Sequence, residues 1–383
     1  MAFLIACSKP VWVLERVELD IPHPQIVFST EVSVDGMLEQ RYVVKAKDGL
    51  YFCDRNFNVL SIRPTVGRVI PSRQHKYFLV IDVVKSPANK GDFGEQIYSV
   101  VDNLGIETKV MESRFGWDGG SGNVWAISDD EGQIYSLDCV NRTLHILGRE
   151  GNNIRTIHLL EDKDYYMDIG RMDVSTTGTR IAILLRNRTT DADLAQVLFL
   201  LDQDGNQLFR RTIGQKDISG VWISHTGDLI LCSVHDRDVV RGVGFVTYVF
   251  DSADTELFKI NEYPSGRLIT KDYLIFGEQQ RVFQIDLKDG NIVWTYPIEN
   301  TAISIVKHQD DPLVISAFEA KAGVGPVLIH VIDHAGNLIL KKDLSNPPHT
   351  DAVRNNDEIR RSGDFFIDND ELWLIKTVGG QRY

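Results

Sequence analysis

Two short tracts invite a chemical reading. His235-Asp236-Arg237-Asp238 sets an imidazole among carboxylates and a guanidinium, and His308-Gln309-Asp310-Asp311 repeats the theme. Such groups serve acid–base work or part of a metal shell, but a metal needs three or four converging ligands. Neither tract has an HxH or HExxH spacing, so both read first as loop residues. Asp202-Gln203-Asp204-Gly205-Asn206 looks like the start of a calcium loop. Its glycine is fourth rather than sixth and no Glu follows at the twelfth position, so it reads as a turn. Asp162-Lys163-Asp164-Tyr165-Tyr166-Met167-Asp168 gathers carboxylates and tyrosines of the kind used in sugar-cleaving sites, with nothing to fix their separation. A nucleophile elbow, a phosphate loop and a dinucleotide fingerprint are all missing. The residues point to no catalytic set, no metal site and no cofactor.

The elements that must carry these tracts are strands. Runs such as RYVVKA, KYFLVIDVV, RIAILL, QVLFLLD and VLIHVID recur, bounded by Gly, Asp and Asn. No long segment holds an apolar period near 3.6, and only Asp351–Arg361 suggests a helical turn or two. The chain is predicted to be all-β.

One hairpin type repeats. A strand ends near Asp, a turn follows, and a second strand opens apolar-x-apolar, as in YFCDRNFNVLSI, LFLLDQDGNQLFRR and HVIDHAGNLILKK. The turns open at Ser8, Asp54, Asp102, Gly148, Asp202, Asp251, Asp286 and Asp333, separated by 46, 48, 46, 54, 49, 35 and 47 residues. Asp138 offers a competing register for the fourth, and even spacing favours Gly148. The Asp carboxylate can bond backbone N–H groups of the turn, while a following Gly or Asn tolerates positive φ. A period near 48 with four short strands per repeat fits propeller blades.

Other motifs agree. Val32-Ser33-Val34-Asp35-Gly36, Val174-Ser175-Thr176-Thr177-Gly178 and Ile223-Ser224-His225-Thr226-Gly227 each join two apolar runs and resemble the first turn of blades in WD-like propellers. Ile285-Asp286-Leu287-Lys288-Asp289-Gly290-Asn291-Ile292-Val293-Trp294 resembles the tryptophan-docking repeat of quinoprotein-like propellers. The resemblance is to the superfamily and implies a single β-propeller domain over 1–383, with eight four-stranded blades. The N-terminal hairpin, Phe3–Leu19, and the C-terminal strands, Asp364–Ile367 and Glu371–Thr377, would share one blade and close the ring. Seven blades with a loose N-terminal arm is the alternative.

In such a blade, turns after the first and third strands share one face, and the other connections share the opposite one. The first set is short (VDG, TTG, HTG, DQDG, KDG, HAG). The second is long and varied: Lys85–Gln96, Arg186–Gln196, His235–Gly244 and Phe318–Pro326 after second strands, and Arg63–Lys76, Ile157–Arg171 and Leu344–Ser362 between blades. Loops free of turn constraints are where function usually sits. They carry Arg63, Arg68, Arg73, Arg186, Arg188, Arg237, Arg241, Arg360 and Arg361 among acids that include Asp191 and Asp236. Guanidinium forks suit carboxylate partners. The binding residues expected on this face are Arg186, Arg188, Asp191, His235, Asp236, Arg237 and Arg241, with Trp117 of FGWDGG exposed beside them.

Lys plus Arg is 41 and Asp plus Glu is 54, a formal charge of −13, which argues against nucleic-acid binding. No apolar run approaches the roughly 20 residues that span a bilayer. The four cysteines, Cys7, Cys53, Cys139 and Cys232, form no CxxC pair, and three follow hydrophobic runs where Cys is a small buried apolar residue. A soluble cytoplasmic protein is expected. The alternative is a lipid-anchored or periplasmic one, if the true start lies upstream and Leu4-Ile5-Ala6-Cys7 is a lipoprotein box. The functional expectation is a non-enzymatic scaffold that binds a protein or peptide through the long-loop face. The alternative is a propeller hydrolase, lyase or lactonase acting on a sugar or related small molecule at the channel mouth. Clustering of Asp162, Asp164, His235 and Asp236 would mark the enzyme.

Overall fold

The computed structural model describes residues 11–34, 36–65, 67–85, 93–116, 123–138, 141–159, 170–186, 196–214, 217–235, 245–261, 266–270, 272–307, 313–318, 328–343, 365–368 and 371–378. These residues are strands and turns throughout, so the all-β expectation holds for them.

After β1 (Val11–Val17) come five antiparallel four-stranded meanders. The first holds β2 (Pro24–Val34), β3 (Met37–Ala46), β4 (Gly49–Cys53) and β5 (Val59–Pro64). The second holds β6 (Arg68–Pro71), β7 (Tyr77–Lys85), β8 (Phe93–Asp102) and β9 (Glu107–Gly116). The third is β10 (Asn123–Ile127), β11 (Ile134–Asp138), β12 (Thr143–Leu147) and β13 (Asn153–His158). The fourth is β14 (Gly170–Val174), β15 (Arg180–Arg186), β16 (Gln196–Asp202) and β17 (Gln207–Gly214). The fifth is β18 (Asp217–Ile223), β19 (Leu229–His235), β20 (Phe245–Asp251) and β21 (Glu256–Ile260).

A six-stranded sheet follows: β22 (Gly266–Ile269), β23 (Tyr273–Asp286), β24 (Ile292–Lys307), β25 (Leu313–Phe318), β26 (Leu328–Ile332) and β27 (Leu338–Asp343). Its long strands each pair in two stretches. β23 pairs β22 through Leu274–Gly277 and β24 through 281–285, with Gln280 at φ +68 between them. The last sheet runs β28 (Phe365–Asp368), β29 (Glu371–Val378) and β1, so strands from the two ends of the chain pair directly.

Central strands read as unbroken hydrophobic runs because both of their faces are buried. Side chains alternate across a strand, and successive residues therefore feed different cores. Phe78 and Val80 pack with Phe28, Val43 and Phe52 of the first sheet, whereas Leu79 and Ile81 pack with Ile127 and Ile134 of the third. Ile181, Ile183 and Leu185 likewise face Tyr135 and Leu144, while Ala182 and Leu184 face Val221 and Ile230. Consecutive sheets are thus stacked face on face, as the repeat predicts. Cys53 and Cys232 are buried in these layers as free thiols, and burial pushes the Cys53 thiol up to about 12.

Seven of the eight predicted turn openers sit between the third and fourth strands of a meander or its equivalent in the long sheet, and Ser8 lies outside the described residues. Asp202 shows the mechanism: Oδ1 accepts the Asn206 N–H at 2.8 Å and Oδ2 accepts Asn206 Nδ2 at 2.9 Å. Asp54 with Asn58 and Asp333 with Asn337 repeat both bonds. Gly148 occupies the equivalent place in the third sheet, and Asp138 instead joins second and third strands. Trp294 packs its ring on Gly336 of the following turn, where an added Cβ would come within 3.0 Å of it, and its Nε1 donates to Gln284 Oε1 at 2.8 Å.

Candidate functional site

Arg186 ends β15 and His235 ends β19, on adjacent stacked sheets and at the end opposite the Asp turns. The connections that follow them, 187–195 and 236–244, lie outside the described residues, and with them Arg188, Asp191, Asp236, Arg237 and Arg241. Trp117, Asp162, Asp164, Arg360 and Arg361 also lie outside them. The connections expected after second strands at Lys85–Gln96, Arg186–Gln196, His235–Gly244 and Phe318–Pro326 fall between strand ends at 86–92, 187–195, 236–244 and 319–327, the first being shorter because Phe93–Gln96 already belong to β8.

Three arginines are corrected. The stretch Arg63–Lys76 is not one long loop: Arg63 belongs to β5, Arg68 opens β6, and Arg73 stands in the β6–β7 turn. The run RVIP is short and ends in Pro, so it carries too few alternating residues to read as a strand, yet it is the first strand of its sheet. Arg63 spans two sheets. Its Nη1 lies 2.7 Å from Asp82 Oδ2 and its Nη2 lies 2.6 Å from Glu107 Oε1. The guanidinium holds the Glu107 carboxyl below its ordinary range. This arginine is a staple between sheets rather than a recognition group.

Arg73 belongs to a polar network at the end bearing the short turns. Its Nη2 bonds Asp173 Oδ2 at 2.6 Å and the Ile223 carbonyl at 2.7 Å, tying the second sheet to the fourth and fifth. Asp129, buried in the β10–β11 turn, accepts Ser72 Oγ and the Gln74 backbone N–H. The chain of bonds continues through Asp129 N to Thr176 O and Thr176 N to His225 O. The His225 imidazole is exposed, with Nδ1 on Thr176 Oγ1 and Nε2 3.5 Å from Gln74 Nε2. Buried carboxylates persist when hydrogen-bonded, and Asp129 has its donors from the neighbouring turn. Its sequence context, SDDEG, gave a turn signal but no sign of which partner it serves.

A second feature at the same end also escaped the sequence reading. The Val32–Gly36 motif is a short turn closed by the Val34↔Met37 pair, as expected, but the strands it joins, β2 and β3, are 11 and 10 residues long. In the neighbouring β6–β7 turn, His75 Nδ1 stands 2.8 Å from the Ser29 carbonyl. From Thr30 to Arg41 the hairpin runs past that contact as a two-stranded arm. Asn103 Nδ2 holds its base, donating to Thr30 Oγ1 at 3.0 Å and to Glu31 O at 3.2 Å. The signal was present in the run lengths PQIVFSTEVSV and MLEQRYVVKA. Among the described residues no group of three or more His, Cys, Asp and Glu side chains converges as a metal site would require.

No protein-family model matches the chain, and no curated protein does. Solved structures do. A eukaryotic initiation factor matches at 11% identity and a TM-score of 0.55, covering 88% of this chain and 97% of that one. BamB from Moraxella catarrhalis matches at 10% identity and 0.49, covering 96% and 100%. The WD40 domain of Neurospora crassa Pan2 matches at 13% identity and 0.46, covering 80% and 88%. At such identities the likeness is one of fold alone.

Proposed function

We propose that the protein is a non-enzymatic interaction scaffold, a single β-propeller domain of eight four-stranded blades that binds a protein or peptide partner through its long-connection face. Support for the eight-blade count comes from the two pairing stretches in β23 and β24, which divide the six-stranded sheet into two blades of four. The β1–β29 pairing supports a last blade shared by both ends of the chain. β28 also lies beside β2, the first strand of the first sheet.

The observation that carries the functional reading is an asymmetry of connections. Third and fourth strands are joined by tight Asp-type turns, whereas the connections leaving β15, β19 and β25 at the opposite end run 187–195, 236–244 and 319–327. Arg186 and His235 close neighbouring strands at that end, so Arg188, Asp191, Asp236, Arg237 and Arg241 rise from adjacent blades in this reading. Forked arginine bonds would take a partner's carboxylates, and the interspersed acids would limit indiscriminate polyanion binding. The test is affinity purification with the wild type and with Arg186, Arg188, Arg237 and Arg241 all changed to Ala. Loss of the partner with an unchanged melting temperature supports the proposal. Full retention, with loss on changing the opposite face, refutes the choice of face.

A further inference from the structure

The arm Thr30–Arg41 is a sheet edge with room for another strand. Beyond its base, β3 has β2 as its partner and no other among the described residues. β4 pairs only with Tyr42–Lys45, leaving Met37–Arg41 uncovered on that side. Pairs in an antiparallel ladder alternate between bonded and non-bonded, and the Val34↔Met37 pair next to the two-residue turn is a bonded one. The backbone N–H and C=O of Leu38 and Gln40 therefore point away from β2. Proteins usually guard such an edge with a charge, a proline or a covering element. Here the edge carries the exposed Glu39, but Met37 and Leu38 beside it are 67% and 73% exposed, above every other described large hydrophobic residue.

One face of the arm is already occupied. Thr30 and Val32 are buried, and Asn103 clamps the backbone on that side. Glu31, Ser33 and Leu38 face the other way, in the register Ser33↔Leu38 and Glu31↔Gln40. Charge selects the occupant. Glu31 and Glu39 are exposed, and the arm's one described cation, Arg41, is largely covered and stands 3.6 Å from Glu39. A second copy would bring the same acidic residues and a further formal charge of −13 against them.

We propose that the edge Met37–Arg41 is a docking strand for an extended segment of a partner protein. That segment pairs with the outward backbone groups of Leu38 and Gln40, sets an aliphatic side chain against Leu38, and carries Lys or Arg on its other face toward Glu39. The inference rests on the scaffold reading for the existence of a partner, not for the face it uses.

The test is photo-crosslinking in cells, with p-benzoylphenylalanine replacing Leu38 in one full-length chain and Arg237 in another, followed by mapping of the captured segment. Position 38 should capture a segment in which aliphatic residues alternate with Lys or Arg. A synthetic peptide of that segment should bind the wild-type protein and lose at least tenfold in affinity with Glu39→Lys, and separately with Leu38→Pro, which removes the outward N–H. Circular dichroism and melting temperature control for folding of both variants. Capture of a second copy, of an Asp/Glu-rich segment, or of nothing at position 38 overturns the docking strand. Capture from position 237 alone overturns it while leaving the scaffold reading intact, and capture from neither position counts against both.

Discussion

Arg73 Nη2 stands 2.6 Å from Asp173 Oδ2, joining a turn of the second sheet to the first strand of the fourth. Asp173 Oδ2 also accepts the Ile223 N–H at 3.0 Å, while Arg73 donates to the Ile223 carbonyl, so the pair brackets both backbone groups of one residue in the fifth sheet. Both side chains are mostly covered, at 25% and 18% exposure, which lifts the pair above a solvent-screened surface bridge. Arg73→Ala should destabilise by about 1–3 kcal/mol, because it strands a partly buried carboxylate. A double-mutant cycle with Asp173→Asn should give a coupling of roughly 0.5–3 kcal/mol in urea melts. Strict additivity would show that the bond contributes nothing to holding these sheets together.

The Asp turns predict a pH dependence. In Asp202, burial pushes the carboxyl up, but bonds from the Asn206 side chain and backbone, from the Asp204 N–H, and the nearby Arg180 charge outweigh it and hold it below its ordinary range. Asp54 and Asp333 are lowered in the same way. The folded state thus binds fewer protons than the unfolded chain, whose Asp titrates near about 3.9. The stabilisation is complete above that value and is lost as pH falls through the lower folded value. Asp202→Ala should lower stability at pH 7 by about 0.5–2 kcal/mol, as for other lost capping side chains. The gap between wild type and variant should close progressively below pH ~4. Thermal melts at pH 7, 4 and 2.5 check this, and a gap that does not change with pH would place the effect elsewhere.

These turns were also the most legible part of the fold. Asp, then Gly or Asn, then an apolar pair is a local code, and the bonds it predicts are made within five residues, as at Asp202–Asn206. The stacking was legible because strands such as RIAILL have no polar face to give to water. What the sequence hid is non-local. RVIP is too short for a period, so the sequence places Arg73 in a long connection between sheets, whereas it stands in the β6–β7 turn and clamps Asp173. The arm was hidden by its own regularity: Val32–Gly36 carries the same turn motif as its sister hairpins, and only strand length shows that it turns late. The arginines and Trp117 chosen from the long connections rest on loop length and side-chain type, neither of which fixes a geometry.

Close approach between sheets makes a third prediction. Gly151 has φ +81, and a Cβ there would stand 2.1 Å from the Val110 carbonyl oxygen of the preceding sheet. Gly36 has nearly the same backbone, φ +80, with nothing within 4 Å of an added Cβ. Gly36→Ala should therefore lose only the left-handed backbone penalty of about 1–2 kcal/mol. Gly151→Ala carries that penalty plus displacement of a backbone carbonyl, and should lose roughly twice as much or more. Chemical denaturation of the two variants side by side makes the comparison. Equal losses would mean that the third sheet's turn can move off the second without penalty.

The pairing of the chain's two ends yields the last prediction. β1 meets β29 in seven successive pairs from Val11↔Val378 to Val17↔Leu372, and Val17 and Leu19 pack on the core of Ile21, Val27, Val44 and Tyr51. Removing residues 1–19 deletes the strand and uncovers the β29 edge along ELWLIKTV, a β-prone and largely apolar segment. An edge of that kind templates intermolecular pairing. Domains are held by only about 5–15 kcal/mol, so losing a paired strand and part of a core should lower the melting temperature sharply or drive concentration-dependent aggregation. Calorimetry and light scattering across a dilution series separate the two outcomes. A monodisperse truncated protein with the wild-type melting temperature would make β1 a dispensable arm and favour seven blades over eight.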